Sequence, residues 1–157
     1  MQTQKIPTQG RPRVTVAALV ERNGRFLLVE ERDPQGRLVI NQPAGHVEAG
    51  ESLLDAVIRE TFEETGWSIA PAALVGTYIW GRADHSISYL RIAIAGDAVQ
   101  HHPDSPLDDG IERAVWLSRS ELLERQAEHR SALVLRCVDD YLSGERYPLS
   151  VLKSLLA

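Results

Sequence analysis

The apolar positions in the first half of the chain fall into short runs that predict β-strands. Residues 14–20 are apolar and β-branched, as in a buried strand. Asn23-Gly24 is a strong turn signal, and residues 26–29 predict the returning strand. Residues 74–80 and 87–94 predict a second strand pair, with Pro71 marking a turn before it. The pattern therefore predicts two pairs of strands.

Helical spacing takes over in three segments between and after these strands. Residues 52–65 predict a helix that Ser52 caps and Gly66 ends. Residues 118–121 form a capping box that opens a second helix, and residues 132–142 predict a third. Strands on both sides of a central helix predict an α+β protein, an αβα sandwich with a central mixed sheet. We expect a flexible lead-in at residues 1–12 and one domain at 13–157.

Composition narrows the class of protein. A chain of 157 residues is one domain long, and its one cysteine, Cys137, cannot form an internal disulfide. The net charge of −5 and pI near 5.5 argue against a partner such as duplex nucleic acid. No apolar run approaches the roughly 20 residues needed to cross a bilayer, so we expect no membrane association and a cytoplasmic location.

The central predicted helix carries an acidic face. Glu60, Glu63 and Glu64 lie at i, i+3 and i+4, which makes their side chains neighbours. Three adjacent carboxylates repel one another, and oxygen ligands suit a hard cation such as Mg²⁺ or Mn²⁺. Arg59 could orient Glu60, and Glu51 lies at the helix start. A solvated acidic surface is the alternative that the three glutamates alone leave open.

Residues 45–67 as a whole resemble the Nudix box. Its fixed positions are met by Gly45, Glu51, Arg59, Glu60, Glu63, Glu64 and Gly66. Thr61 departs from the usual aliphatic residue, and Trp67 fills the last hydrophobic position. The flanking segments 41–46 and 143–149 resemble the NudJ branch, bacterial phosphatases of nucleoside di- and triphosphates and thiamine-type pyrophosphates. The resemblance runs from about residue 14 to residue 152.

The resemblance implies roles for individual residues. Glu60 and Glu64 would bind the metal directly, with Glu63 a third ligand and the carbonyl of Ala44 a backbone ligand. Arg59 would orient Glu60, and Glu51 would support the site. The general base would be Glu60 or a downstream acid, for which Glu112 is preferred over Asp104, Asp108 and Asp109.

Candidates for substrate contact are spread along the chain. Trp80 could stack on a base, although a core or rim position explains it equally well. Arg91 and Arg25 could pair with phosphate, and His46 could hydrogen-bond the substrate. Arg146 could reach the site from the C-terminal end or only fix the tail.

The resemblance therefore implies Mg²⁺-dependent hydrolysis of pyrophosphate bonds in nucleoside di- and triphosphates, with thiamine and hydroxymethylpyrimidine pyrophosphate as further substrates. The alternatives are a Nudix hydrolase of nucleoside diphosphate-linked compounds such as ADP-sugars, and a non-catalytic nucleotide sensor. The expected partner is a small phosphorylated molecule, and the protein would be a monomer or a homodimer.

Overall fold

The computed structural model describes residues 10–156, which contain seven strands and three α-helices. The strands are β1 (Arg13–Arg22), β2 (Arg25–Arg32), β3 (Leu38–Asn41), β4 (Ala44–His46), β5 (Trp67–Gly81), β6 (Ser88–His101) and β7 (Ile111–Ser118). The helices are α1 (Leu53–Thr65), α2 (Arg119–Glu124) and α3 (Leu133–Leu142), with short 3₁₀ turns at Gln126–Glu128 and Leu149–Val151.

The strands form one mixed sheet that divides at β1. Its main order is β3-β2-β1-β6-β5, in which β1 and β6 are parallel and the other neighbours antiparallel. The end of β1 at Arg22 pairs with β2, whereas residues 15–17 of β1 pair with β4. β4 therefore borders the opening between the two halves of the sheet, directly beside α1.

Alternating side chains of the sheet form two cores. Val16, Ala18 and Ile92 face α1, where Ala56 and Val57 are fully buried. The neighbouring positions, such as Leu19 and Ala93, face α3 and the buried side chains of Val134, Cys137 and Val138. Because helices cover both faces of the sheet, the predicted αβα sandwich is confirmed.

The element bounds differ from expectation mainly around Pro71. A turn was predicted there, but Pro71 lies inside the 15-residue strand β5, at a shift in its pairing register with β6. An edge strand tolerates proline because its outward-facing N–H needs no partner in the sheet. β1 begins at Arg13, and residues 1–9 of the predicted lead-in lie outside the described residues.

Candidate active site

Helix α1 presents the acidic residues because both of its ends are fixed. The Ser52 hydroxyl accepts a hydrogen bond from the Asp55 N–H at 3.1 Å, and Gly66 ends the helix with φ 72°. A Cβ at Gly66 would lie 2.9 Å from the carbonyl oxygen of His102, so only glycine fits this turn. Thr61 is fully buried, and its hydroxyl donates to the Val57 carbonyl at 2.7 Å. The departure from the Nudix box at this position therefore leaves no buried donor unsatisfied.

Three carboxylates meet at the exposed side of α1. Oxygens of Glu60, Glu63 and Asp108 lie within 4.8 Å of one another, a spacing that could hold a metal ion. Asp108 comes from the loop before β7, and its backbone N–H donates to the Glu63 carbonyl at 3.0 Å. All-oxygen donors of this kind suit a hard divalent cation. Glu60, Glu63, Asp108 and the neighbouring Glu64 are called the carboxylate site below.

Glu64 lies deepest in the carboxylate site. It is 6% exposed and accepts the Ala44 N–H at 2.7 Å. Burial raises its pKa to about 9, and the charges of Glu31, Glu60 and Asp108 act in the same direction. Burial also raises the pKa of Glu60, against the opposing effect of Arg59. A divalent cation would favour the charged form of both groups.

Arg59 connects the other acidic groups. Its guanidinium donates to both oxygens of Glu51 at 2.6 and 2.9 Å, to Glu60 at 2.9 Å and to Glu63 at 3.0 Å. It also donates to the His46 carbonyl at 3.2 Å. These hydrogen bonds lower the pKa of the Glu51 carboxyl and raise that of Arg59. Arg59 and Glu51 thus lie where they can orient Glu60.

Gly45 makes room for the Glu60 side chain. A Cβ at Gly45 would overlap the Glu60 carboxyl group. The obstructed group is the flexible end of a side chain, so a larger residue there would displace the carboxylate and leave the backbone unstrained. Gly45 therefore controls the position of a candidate metal ligand.

The two downstream acids have different surroundings. The Glu112 carboxylate is half-exposed and accepts a hydrogen bond from Arg32 Nε at 2.9 Å, whereas Asp108 joins Glu60 and Glu63. The preference for Glu112 rested on the sequence around it. What distinguishes Asp108 is its backbone bond to Glu63, which no local pattern reveals.

Glu31 on β2 is a further acid near the site that sequence reasoning missed. It accepts hydrogen bonds from Arg130 at 3.1 Å and Asn41 at 3.4 Å. Burial raises its pKa, and its charge raises the pKa of Glu64. Only a charged residue interrupting the apolar pattern of β2 could have drawn attention to it.

Aromatic side chains extend away from the carboxylate site on the sheet. Trp80 stacks on Tyr89 with ring centroids 6.1 Å apart, and the ring of His46 lies 6.3 Å from Tyr89. His46 follows Gly45 directly in β4, so its ring points to the face opposite the one on which Gly45 meets Glu60. The pKa of His46 is lowered by burial and by the nearby charge of Arg13. Trp80, Tyr89 and His46 are called the aromatic row below.

The three arginines suggested as substrate contacts are all bonded within the protein. Arg91 is 6% exposed and donates to Gln42 at 3.0 Å and Asn41 at 3.2 Å; its Nε is buried and has no partner in the part of the chain described. Arg25 donates to Glu121 at 2.7 Å, at the end of β2 away from Glu31. Arg146 lies 3.7 Å over the Tyr141 ring and donates to the carbonyls of Tyr141 and Glu145.

The structure thus brings together only part of the predicted set. Glu51, Arg59 and His46 adjoin the carboxylate site, which Ala44 reaches through its N–H. Trp80 joins through the aromatic row. Arg25, Arg146 and Glu112 make none of the contacts that build this site among residues 10–156.

Known proteins resemble this chain in sequence and in fold. The NUDIX domain model matches residues 10–137. The chain is 40% identical over 142 residues to Phosphatase NudJ of Escherichia coli strain K12, covering 90% of this chain and 91% of that protein. It is similar to a solved Nudix hydrolase from Nitrosomonas europaea, with a TM-score of 0.89, 46% identity, and 92% and 97% coverage of the two chains. No helix among the described residues is long and apolar enough to cross a membrane. The chain therefore belongs to the Nudix hydrolase family and is a pyrophosphohydrolase similar to the NudJ phosphatases.

Proposed function

We propose that this enzyme hydrolyses pyrophosphate bonds of nucleoside di- and triphosphates in a reaction that requires Mg²⁺, for which Mn²⁺ can substitute. Thiamine pyrophosphate and hydroxymethylpyrimidine pyrophosphate are further candidate substrates. The single observation that carries the proposal is the meeting of Glu60, Glu63 and Asp108 oxygens within 4.8 Å, beside the buried Glu64. The 40% identity to a protein named Phosphatase NudJ supports the substrate class.

The donor set fits a hard divalent cation. Glu60, Glu63, Glu64 and Asp108 would hold it, with the Ala44 carbonyl as the backbone ligand that the family resemblance implies. Such a cation, when bound, would supply neutralisation of phosphate oxygens and a lower pKa for an attacking water. Among residues 10–156, Arg59 is the guanidinium group that pairs with Glu60 and Glu63. Without a cation, the remaining negative charge of the four carboxylates would repel an anionic substrate.

The residues around the cation have separate tasks in this proposal. Glu60 acts as general base, because Arg59 holds its carboxylate at 2.9 Å and α1 is a rigid support. Glu112 is the less favoured base, since Arg32 already binds it. Arg59 and Glu51 position Glu60 and contact no phosphate. Trp80 and His46 contact the ring of the substrate, where stacking contributes about 1–3 kcal/mol.

The remaining contacts complete the proposal. Arg91, Arg25 and Arg146 stay candidate phosphate contacts, although each requires rearrangement of the hydrogen bonds it makes now.

We also propose a single domain over residues 13–157, a monomer or homodimer, and a cytoplasmic location. A reduced and buried Cys137 is compatible with that location.

A substrate panel with product identification tests the proposed function. We expect the purified enzyme with Mg²⁺ to hydrolyse nucleoside di- and triphosphates, to lose activity in EDTA and to regain it with Mg²⁺ or Mn²⁺. Preferential cleavage of ADP-sugars would support the alternative hydrolase. Nucleotide binding without turnover of any compound would support the sensor.

A further inference from the structure

Three arginines differ from the rest of the protein in their bonding. The chain has fifteen arginines, all between residues 11 and 146. Twelve of them hydrogen-bond through the guanidinium: Arg22, Arg25, Arg32, Arg37, Arg59, Arg91, Arg113, Arg119, Arg125, Arg130, Arg136 and Arg146. The side chains of Arg11, Arg13 and Arg82 make no hydrogen bond or ion pair with any residue between 10 and 156.

These three arginines lie at one end of the molecule. Arg11 and Arg13 line a cavity of about 160 Å³ together with Gly10, His85, Ser86, Ile87 and Ser88. Arg82 is the first residue of the loop that joins β5 to β6, the loop that also contains His85, Ser86 and Ile87. Its N–H donates to the Ile87 carbonyl at 3.0 Å. A volume of this size suits a small group such as a phosphate and is well below the roughly 300 Å³ of the smallest usual ligand pockets. The cavity is called the arginine pocket below.

One acid lies in the loop of the β5–β6 hairpin, residues 82–87, and its carboxylate is already engaged. Asp84 accepts the Ser86 N–H at 3.0 Å and the Ser86 hydroxyl at 2.6 Å. Arg82 contributes only a long-range charge to Asp84, with no ion pair between them. The positive charge of the pocket is therefore not neutralised within the hairpin, in a protein whose net charge is −5.

The arginine pocket adjoins the aromatic row. Arg13 is directly opposite Tyr89 in the β1–β6 pairing, and Tyr89 is directly opposite Trp80 in the β5–β6 pairing. Side chains at directly opposite positions share a face of the sheet, so Arg13 extends the line formed by the two rings. Thr15, two residues along β1, is in turn opposite His46.

Strand geometry sets the separation from the carboxylate site. Ala44, whose N–H donates to Glu64, is opposite Ala17 on β1, four residues from Arg13. At about 3.3 Å per residue, Arg13 lies roughly 13 Å along the strand from the carboxylate end. The order along β1 is therefore the Ala44 contact of Glu64 at Ala17, His46 at Thr15, and Tyr89 at Arg13.

We propose that the arginine pocket binds a second anionic group, of the phosphate class, that the substrate carries on the side of its ring or ribose away from the scissile phosphates. Guanidinium groups bind phosphate through paired, charge-assisted hydrogen bonds, which makes unbonded arginines suited to this role. The inference rests on the proposed function, because the carboxylate site must hold the scissile phosphates for the pocket to meet the other end.

Equilibrium binding tests the proposal with two probes that differ by one phosphate. Adenosine 5′-monophosphate and adenosine 3′,5′-bisphosphate are titrated by calorimetry into the full-length protein with Mg²⁺. We expect the bisphosphate to bind at least tenfold more tightly, because its second phosphate gains charge-assisted hydrogen bonds to the arginines. In an R11Q/R13Q double variant the two probes should bind alike. Both side chains are exposed, so the fold should survive.

A matched control removes a cation elsewhere. R119Q breaks the exposed pair with Asp139 on α2 and α3 and should keep the preference for the bisphosphate. Equal binding of both probes by the unaltered protein, or an unchanged preference in R11Q/R13Q, would overturn the proposal. So would inorganic phosphate that competes as strongly as the bisphosphate, because the pocket would then bind a free anion.

The proposed function is measured separately as Mg²⁺-dependent hydrolysis of ADP by the same preparation. Hydrolysis without preference for the bisphosphate contradicts the arginine pocket alone. Preference for the bisphosphate without hydrolysis of any nucleoside di- or triphosphate contradicts the proposed function, since the carboxylate site would then hold no scissile phosphate.

Discussion

Two successive residues of β2 belong to regions that handle buried negative charge differently. Glu30 is 1% exposed and accepts hydrogen bonds from Arg113 at 2.8 and 3.2 Å and from Arg125 at 3.0 Å. These guanidinium groups hold the pKa of Glu30 below its ordinary value, although burial acts in the opposite direction. Glu31, the next residue, lies toward the carboxylate site, where burial raises the pKa values of Glu31, Glu60 and Glu64.

The difference lies in the number of cations available to each region. Two guanidinium groups serve Glu30, whereas Arg59 is shared among Glu51, Glu60 and Glu63, and no cation among residues 10–156 pairs with Glu64. A buried carboxylate that is paired with guanidinium groups, such as Glu30, stabilises the folded protein. A buried carboxylate that lacks compensation is costly to ionise, and we therefore propose that an external cation completes the site.

The largest effect should come from neutralising the least compensated carboxylate. We expect E64Q to lower kcat by about 10³-fold, because a lost metal ligand removes several kcal/mol of transition-state stabilisation. The free energy of unfolding should not fall, since Gln can still accept the Ala44 N–H and the raised pKa of about 9 already leaves the metal-free Glu64 carboxyl uncharged at pH 7. Steady-state kinetics and urea unfolding measure the two effects, and near-normal turnover at saturating Mg²⁺ would contradict the role of Glu64.

The next largest effect should be the difference in activity between variants of the two downstream acids, Asp108 and Glu112. D108N should raise the Mg²⁺ concentration needed for half-maximal activity by about tenfold or more, as one charged metal ligand becomes neutral. E112Q should change activity little, because it removes only a half-exposed pair with Arg32. A larger fall in kcat for E112Q, without rescue by metal, would make Glu112 the general base.

Substitutions at Gly45 and Gly66 should distinguish an effect on activity from an effect on stability. G45A should lower kcat by about tenfold, because a positioning error of about 1 Å has effects of this order or larger, while unfolding stays nearly unchanged. G66A forces alanine into φ 72° against the His102 carbonyl and should cost about 1–3 kcal/mol in stability. Thermal unfolding and kinetics on both variants decide the matter; a strongly destabilised G45A would contradict this assignment.

A substitution at Glu30, whose charge is compensated by two arginines, should change stability and leave activity unchanged. E30Q should lower the free energy of unfolding by about 2–3 kcal/mol, because it leaves two arginines without their buried carboxylate, while kcat per folded molecule stays near normal. Because the folded pKa of Glu30 is lowered, its stabilisation is present above pH 4.5, the ordinary value, and is lost as pH falls through the folded pKa. Urea unfolding from pH 7 downward should therefore show a shallower acid-side loss in E30Q, and parallel curves would count against this role of Glu30.

Local patterns in the sequence predicted the α1 helix with both caps, the acidic face and the layered fold. They do not reveal contacts between segments that are distant in the sequence. Asp108 reaches the carboxylate site through a backbone bond to Glu63, and Arg91 is buried by Asn41 and Gln42 across the sheet. The sequence pattern predicts a turn at Pro71. In the structure Pro71 lies at a register shift in an edge strand, and this position depends on pairing with β6, which a local pattern does not show.

The central claim is that the carboxylate site requires an external divalent cation. Titration calorimetry of Mg²⁺ into metal-free protein tests it directly, with E60Q and E30Q as a pair of variants that each replace one glutamate by glutamine. We expect saturable binding by the unaltered protein and by E30Q, and binding at least tenfold weaker in E60Q. Equal Mg²⁺ affinity in E60Q and the unaltered protein, or full hydrolysis of ADP in EDTA, would contradict it.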